Sequence, residues 1–163
     1  MSKSDSHQFS GTKGQKIQEG LKVYNQRAKV IEWAEDVAAH LSNNQRSKFN
    51  TATVVFDETT GKLYFGRNKG IDKKGSKKNP LIFGDDTHSG LLPPRSLNKY
   101  ALGNCSEVDG INDALNDGAK LKNLHIYTIH TTPERMGEEK IACENCTYAF
   151  KGRIKRNNTG WKY

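Results

Sequence analysis

Between Lys16 and Asn43 the apolar residues Ile17, Leu21, Tyr24, Ala28, Ile31, Ala34, Val37, Ala38 and Leu41 recur mostly at steps of three and four. On a helix of about 3.6 residues per turn this draws one continuous stripe and predicts a long helix with one face packed on a sheet. Thr51 to Phe56 is β-branched and apolar, Asp57 to Gly61 is a cluster of turn formers, and Lys62 to Arg67 puts Leu63 and Phe65 on one face. That is the pattern of a hairpin. Val108, Ile111 and Leu115 return to helical spacing, Leu124 to His130 is another β-rich run, and a last helix is expected around Cys143 and Cys146. A strand joined to the next through a helix implies a parallel pair, so the expected class is α/β with a mixed sheet and helices on its faces. Residues 1–13, rich in Ser, Lys and Gly, read as a disordered linker end, and 14–163 as a single domain with one core.

The chemistry lies in the only three cysteines, which fall into Cys105-Ser106-Glu107 and Cys143-Glu144-Asn145-Cys146. Residues at i and i+3 project from one face of a helical turn, so Cys143 and Cys146 can reach one metal at about 2.3 Å, with Cys105 as third ligand. A helix opening at each motif favours the thiolate that a metal requires. Zinc held by three ligands keeps a fourth position for water and lowers its pKa from about 16 toward about 7. Glu107 then lies beside the metal without binding it, placed to carry a proton. The other readings are a redox dithiol, a disulfide with a leftover thiol, against which the odd cysteine count argues, and a structural zinc site, for which the loose fourth candidates His88, His125 and His130 sit in no knuckle-like spacing with a cysteine.

These two motifs resemble those of the zinc-dependent nucleoside and nucleic-acid deaminases, whose signature is His/Cys-x-Glu followed by Cys-x-x-Cys. More narrowly, Gly103-Asn104-Cys105-Ser106-Glu107-Val108-Asp109 and the later Cys143-Glu144-Asn145-Cys146 are similar to the YwqJ-like deaminase domains of bacterial polymorphic toxins, over about Ala52 to Phe150. The first ligand is Cys rather than the commoner His, and Ala142 stands where many deaminases have Pro. The resemblance implies a three-layer α/β/α cytidine-deaminase-like fold and a Zn2+ cofactor on Cys105, Cys143 and Cys146. It makes Glu107 the catalytic residue, with Asn68, Ser106, Ala142 and His88 facing substrate, while Asn68-Lys69-Gly70 equally fits an ordinary turn and His88 a surface position. The expected activity is zinc-dependent deamination of cytosine to uracil in nucleic acid, DNA favoured over RNA. The alternatives are a deaminase of adenine, RNA or free nucleotides, and a non-catalytic zinc module that binds nucleic acid. A toxin domain further implies an acidic immunity protein as partner and action in the target-cell cytoplasm after secretion or delivery.

Charge adds to this picture. Lys and Arg number 26 against 18 Asp and Glu, a formal +8, which suits a polyanionic partner. Between the hairpin and Cys105 runs a connection of roughly 35 residues, long for a compact domain. It carries Lys69, Lys73, Lys74, Lys77 and Lys78, which would hold phosphates at the rim of the site without reading sequence. The equally simple reading is a solvated loop. The tail, with Lys151, Arg153, Lys155, Arg156 and Lys162 around Trp161, suits phosphate contact and base stacking, or Trp161 caps the sheet. No apolar run approaches the roughly 18 residues that cross a bilayer, and the first residues lack a signal-peptide core, so no membrane contact and no secretion address of its own are expected; a monomer is the separate expectation for its assembly.

Overall fold

The computed structural model describes residues 11–163, with side chains at Val23 and from Asn25 onward. Residues 1–10 of the expected linker lie outside the described residues, and helix α1 (Gly11–Ala39) begins within residues 11–13. Val30 and Ala34 on α1 are fully buried, with Ile31, Val37, Ala38 and Leu41 packed around them. The side chains of Ile17, Leu21 and Tyr24 are outside the described set. Ala28 is exposed, and Gln26 takes an inward position instead, its amide oxygen accepting from Asn158 Nδ2 at 2.7 Å. The helix stops at Ala39, short of the expected Asn43, because Ser42 caps a separate turn, α2 (Asn43–Arg46). Ser42 Oγ accepts from Gln45 N while Gln45 Oε1 accepts from Ser42 N, a reciprocal capping box that starts a new helix.

Four strands form one mixed sheet in the order β2-β1-β3-β4: β1 (Thr51–Asp57), β2 (Leu63–Arg67), β3 (Leu124–His130) and β4 (Arg156–Asn157). Strand β1 is antiparallel to both β2 and β3. The helical crossover from β2 to β3 therefore links strands that run the same way but are separated by β1. The parallel ladder lies elsewhere, between β3 and β4, where His125 pairs Arg156 and Ile126 pairs Asn157.

Because side chains alternate along a strand, one strand feeds two cores. Ala52 and Val54 of β1 and Tyr127 and Ile129 of β3 pack with α1. Val55 of β1 and Leu124 and Ile126 of β3 pack instead with Val108, Ile111 and Ala114 of helix α5 (Ser106–Asn116) and with Cys146, Ala149 and Phe150 of α6 (Glu144–Phe150). Leu63 and Phe65 share the α1 cluster, where the Phe65 ring stacks on Trp33 with centroids 5.4 Å apart.

The long connection from β2 to α5 is not a detached loop. It contains two short helices, α3 (Gly70–Lys74) and α4 (Pro80–Phe83), and its Ile71 and Ile82 are buried in the α5 cluster. Asn112 of α5 fastens it from both sides of its amide, Oδ1 accepting from Asn79 N at 2.7 Å and Nδ2 donating to Lys77 O at 2.8 Å. Among the described residues no helix is long and apolar enough to cross a membrane.

Helix α5 lies directly on β2. A Cβ added at Gly66 would stand 2.3 Å from Ser106 O and 2.4 Å from Gly110 N, both backbone atoms, whereas one at Gly110 would meet the Val55 Cγ2 methyl at 2.8 Å. Backbone cannot swing aside as a methyl can. Gly66→Ala should therefore be more destabilising than Gly110→Ala, with losses of about 1–3 kcal/mol typical of overpacking and Gly66→Ala at or above the upper end. Urea melts of the two variants check the order, and equal midpoints would disprove the close approach.

Candidate metal centre

Two helix starts bring the cysteines together. Cys105 is the N-cap residue of α5 and Cys143 the N-cap residue of α6, and neither side chain makes a capping hydrogen bond. Cys143 O accepts from Thr147 N at 2.9 Å, and the backbone N–H groups of Asn145 and Cys146 at the start of α6 help hold the Cys143 thiol down in pKa. Cys146 sits inside the first turn of α6 and is fully buried. Cys143 is delivered by the segment after β3, which folds back on that strand: His130 N donates to Glu138 O and Lys140 N to Thr128 O, at 2.8 and 2.9 Å. Ala142 N then donates to Gly160 O.

The three Sγ atoms lie within 4.8 Å of one another, and those of Cys105 and Cys143 are 3.0 Å apart. Ligands at about 2.3 Å in tetrahedral geometry stand about 3.8 Å from each other, so the triangle brackets the size a thiolate-bound ion needs. The electrostatics fit as well. Hydrogen bonds from the Cys105 and Cys146 thiols hold Cys143 well below the usual thiol range. The interaction with Cys143 pushes Cys105 up, and Cys146 is pushed up by both thiol neighbours and by burial. The three thiols shift one another, and a divalent cation among them would favour the thiolate form of each. Among the described residues the metal-competent group consists of these cysteines alone. Of the histidines weighed as a fourth ligand, His125 Nε2 is 2.7 Å from Glu58 Oε1, and His88 is exposed beside Thr87 and Asp85. His130 is half-buried, its imidazole held below the usual range by desolvation and by Arg135 and Lys140.

Glu107 is 3 % exposed. Its Oε1 accepts from Ser106 Oγ at 3.3 Å, and its Oε2 has no hydrogen-bond partner among the described residues. Burial raises its carboxyl above the usual range, opposed by the Lys140 ammonium. Ser106 Oγ is in turn 2.7 Å from Thr53 Oγ1, and that 2.8 Å from Thr128 Oγ1. A hydroxyl has one proton to give. If Ser106 gives its proton to Glu107, Thr53 donates to Ser106 and Thr128 to Thr53, so a one-way chain of donors crosses from β3 through β1 to the carboxylate.

The other residues singled out from the sequence fall in several places. Ser106 and Ala142 adjoin the cluster, both fully buried. Asn68 is committed to backbone: Oδ1 accepts from Asn50 N and Thr51 N, and Nδ2 donates to Lys48 O, so it ties the end of β2 to the start of β1. Lys74 is also committed, its Nζ 2.7 Å from Asp109 Oδ1 and 2.5 Å from Asp113 Oδ2. Asp109 is buried, accepts from Arg67 N, and fits against Gly70, whose added Cβ would stand 1.9 Å from its Oδ2. Lys69, Lys73, Lys77 and Lys78 are exposed, with Lys78 Nζ 5.3 Å over the Phe83 ring. Trp161 packs half-buried on the α5 cluster, as a cap for the sheet would.

Sequence reasoning passed over Thr53, Lys140 and Asn145. Thr53 reads as one more β-branched strand residue, and nothing marks its hydroxyl as buried. Asn145 stands between two cysteines and is 1 % exposed, a burial that asks for partners. It has them in the loop before α5: Oδ1 accepts from Leu97 N at 2.8 Å and Nδ2 donates to Ser96 Oγ at 3.0 Å.

No protein-family model, curated protein or solved structure matches the chain. The resemblance to deaminases therefore stands on the two motifs themselves.

Metal analysis of the purified protein should find one thiolate-bound ion per chain. Cys146→Ser should lose it and melt at lower temperature, because the ion ties the starts of two helices. An unchanged metal content in that variant would rule out the site.

Proposed function

We propose that this chain is a zinc-dependent deaminase that hydrolyses cytosine in nucleic acid, DNA before RNA, to uracil and ammonia, acting as a bacterial toxin domain delivered into target cells. The observation that carries the reading is Glu107. It is a buried carboxyl next to the three-thiol cluster, held by one oxygen with the other unpartnered among the described residues. Structural zinc sites have no need of such a group, and burying one without a partner is unfavourable.

Zinc, when bound by Cys105, Cys143 and Cys146, would supply an activated water for attack on the ring carbon that bears the amino group. The chain's own part is proton handling. Glu107 Oε2 would take a proton from the attacking water and return one to the departing nitrogen, while Ser106 keeps Oε1 in place. A carboxyl raised by burial is closer in pKa to that work than an exposed one. The +8 charge and the exposed Lys69, Lys73, Lys77 and Lys78 support a polymeric, phosphate-bearing substrate. Lys74 contributes to the fold of the loop through Asp109 and Asp113 rather than to that face. The same positive surface would give an acidic immunity protein its on-rate and specificity.

Glu107→Gln keeps the shape and removes the proton carrier. It should reduce uracil formation in a cytosine-containing oligonucleotide by at least about a hundredfold, the lower end of general acid-base contributions, while zinc content and melting temperature hold. A wild type that binds the oligonucleotide and never releases uracil would establish the non-catalytic module instead.

Replacing Lys69, Lys73, Lys77 and Lys78 with Gln should weaken oligonucleotide binding to all sequences alike. The slope of log affinity against log salt should flatten by roughly 0.7 for each single-strand phosphate that the protein no longer neutralises. An unchanged slope would show these lysines to be solvated only.

A further inference from the structure

Residues 96–100 make no strand or helix, yet they carry a dense set of side-chain hydrogen bonds, and those bonds converge on the turn between Cys143 and Cys146. Asn145 Oδ1 accepts from Leu97 N at 2.8 Å, and Asn145 Nδ2 donates to Ser96 Oγ at 3.0 Å and to Asn98 Oδ1 at 3.4 Å. Asn98 Nδ2 donates to Glu144 Oε1 at 3.2 Å. Inside the loop, Ser96 Oγ donates to Tyr100 O, and Asn98 Oδ1 accepts from Tyr100 N at 2.9 Å. Both residues between the two cysteines are thus used, and both point to one loop. The loop presents little apolar surface inward: Leu97 is 47 % and Tyr100 60 % exposed. Its shape therefore depends on polar contacts to the turn rather than on a core of its own.

We propose that Asn145 is a positioning residue that couples the 96–100 loop to metal loading. Binding an ion fixes the backbone of the Cys143–Cys146 turn. Asn145 and Glu144 are then held at the spacing the loop requires, and the loop folds onto them. The loop leads straight into Cys105 through residues 101–104, so the same ion tethers it at its other end. Coupling of this kind is reciprocal: whatever seats the loop, including a nucleic-acid strand laid across Lys99 and Tyr100, tightens metal binding by the same factor. The inference rests on the three thiols holding a metal and not on deamination.

Trypsin reads the loop directly, because the bonds after Arg95 and Lys99 lie in it and both residues are exposed. The bond after Lys122, in the 3-10 turn Leu121–Asn123, serves as a remote control site. In the full chain, zinc added to metal-stripped protein should slow cleavage after Lys99 by about tenfold, within the roughly 5- to 150-fold range of coupling between sites, and leave Lys122 unaffected. Asn145→Ala should still bind one zinc through its three thiols, with affinity reduced about 10- to 100-fold as for other groups that orient ligands. With zinc saturating, its Lys99 bond should be cut as fast as in the stripped wild type. The double variant Ser96→Ala, Asn98→Ala removes the same bonds from the loop side and decides the matter if Asn145→Ala does not fold.

Zinc protection equal at Lys99 and Lys122 would report general folding and overturn the coupling, as would full protection of Lys99 in zinc-loaded Asn145→Ala or in the double variant. A wild type that binds no metal would instead fail the metal-site reading itself, and the metal analysis tells these failures apart.

Discussion

Gly66 on β2 and Gly110 on α5 face each other with no side chain between them, and that close approach sets the height of the helix above the sheet. At ordinary helix–sheet distance Ser106 Oγ would not reach Thr53 Oγ1, 2.7 Å away, and the chain of hydroxyls ending at Glu107 would be broken. Cys105 opens the same helix, so its distance from Cys143 depends on the same seat. Gly70 repeats the device at the start of α3, leaving room for the Asp109 carboxylate that receives Arg67 N and Lys74 Nζ. These absent side chains register a helix, a strand and a loop against each other.

The site is polar at its centre and apolar at its border. Glu107, Ser106, Thr53 and Thr128 are all buried, yet each hydroxyl has a partner, and within this group only Glu107 Oε2 is left over. In a folded protein a single unpaired polar atom amid a satisfied network is where a ligand or a proton is expected. The three thiols point the same way, since three sulfurs within 4.8 Å of one another can hold one cation.

Much of this was legible in the residues. A run of β-branched and apolar residues located β3 from Leu124 to His130 to the residue, because a strand buried on both faces is rich in them, and the spacing of Val108, Ile111 and Leu115 located α5, because burial on one face leaves a repeating trace. The cysteine motifs are legible for a different reason: metal chemistry restricts both residue type and spacing. Contacts between segments distant in the chain leave no such trace. The partners of Asn145 in the 96–100 loop, the pairing of Lys74 with Asp109 and Asp113, and the role of Asn68 in joining two strands all depend on how the connection folds back. The misplaced parallel pair has the same origin. A helical crossover fixes the direction of β3 relative to β2, but it does not say that β1 will lie between them.

That placement of β1 has a kinetic side. Its first ladder, with β2, is a hairpin and closes locally, whereas its second joins Thr51 to His130 and Asp57 to Leu124 across the whole intervening loop and α5. Pairings between residues so far apart form late, since the entropy of closing the loop is lost before the contacts reward it. Cys105 belongs to the stretch enclosed by that closure and Cys143 to the stretch that follows it. The three thiols are therefore brought together by a long-range closure and by no local motif, Cys105 from inside it and Cys143 from beyond it.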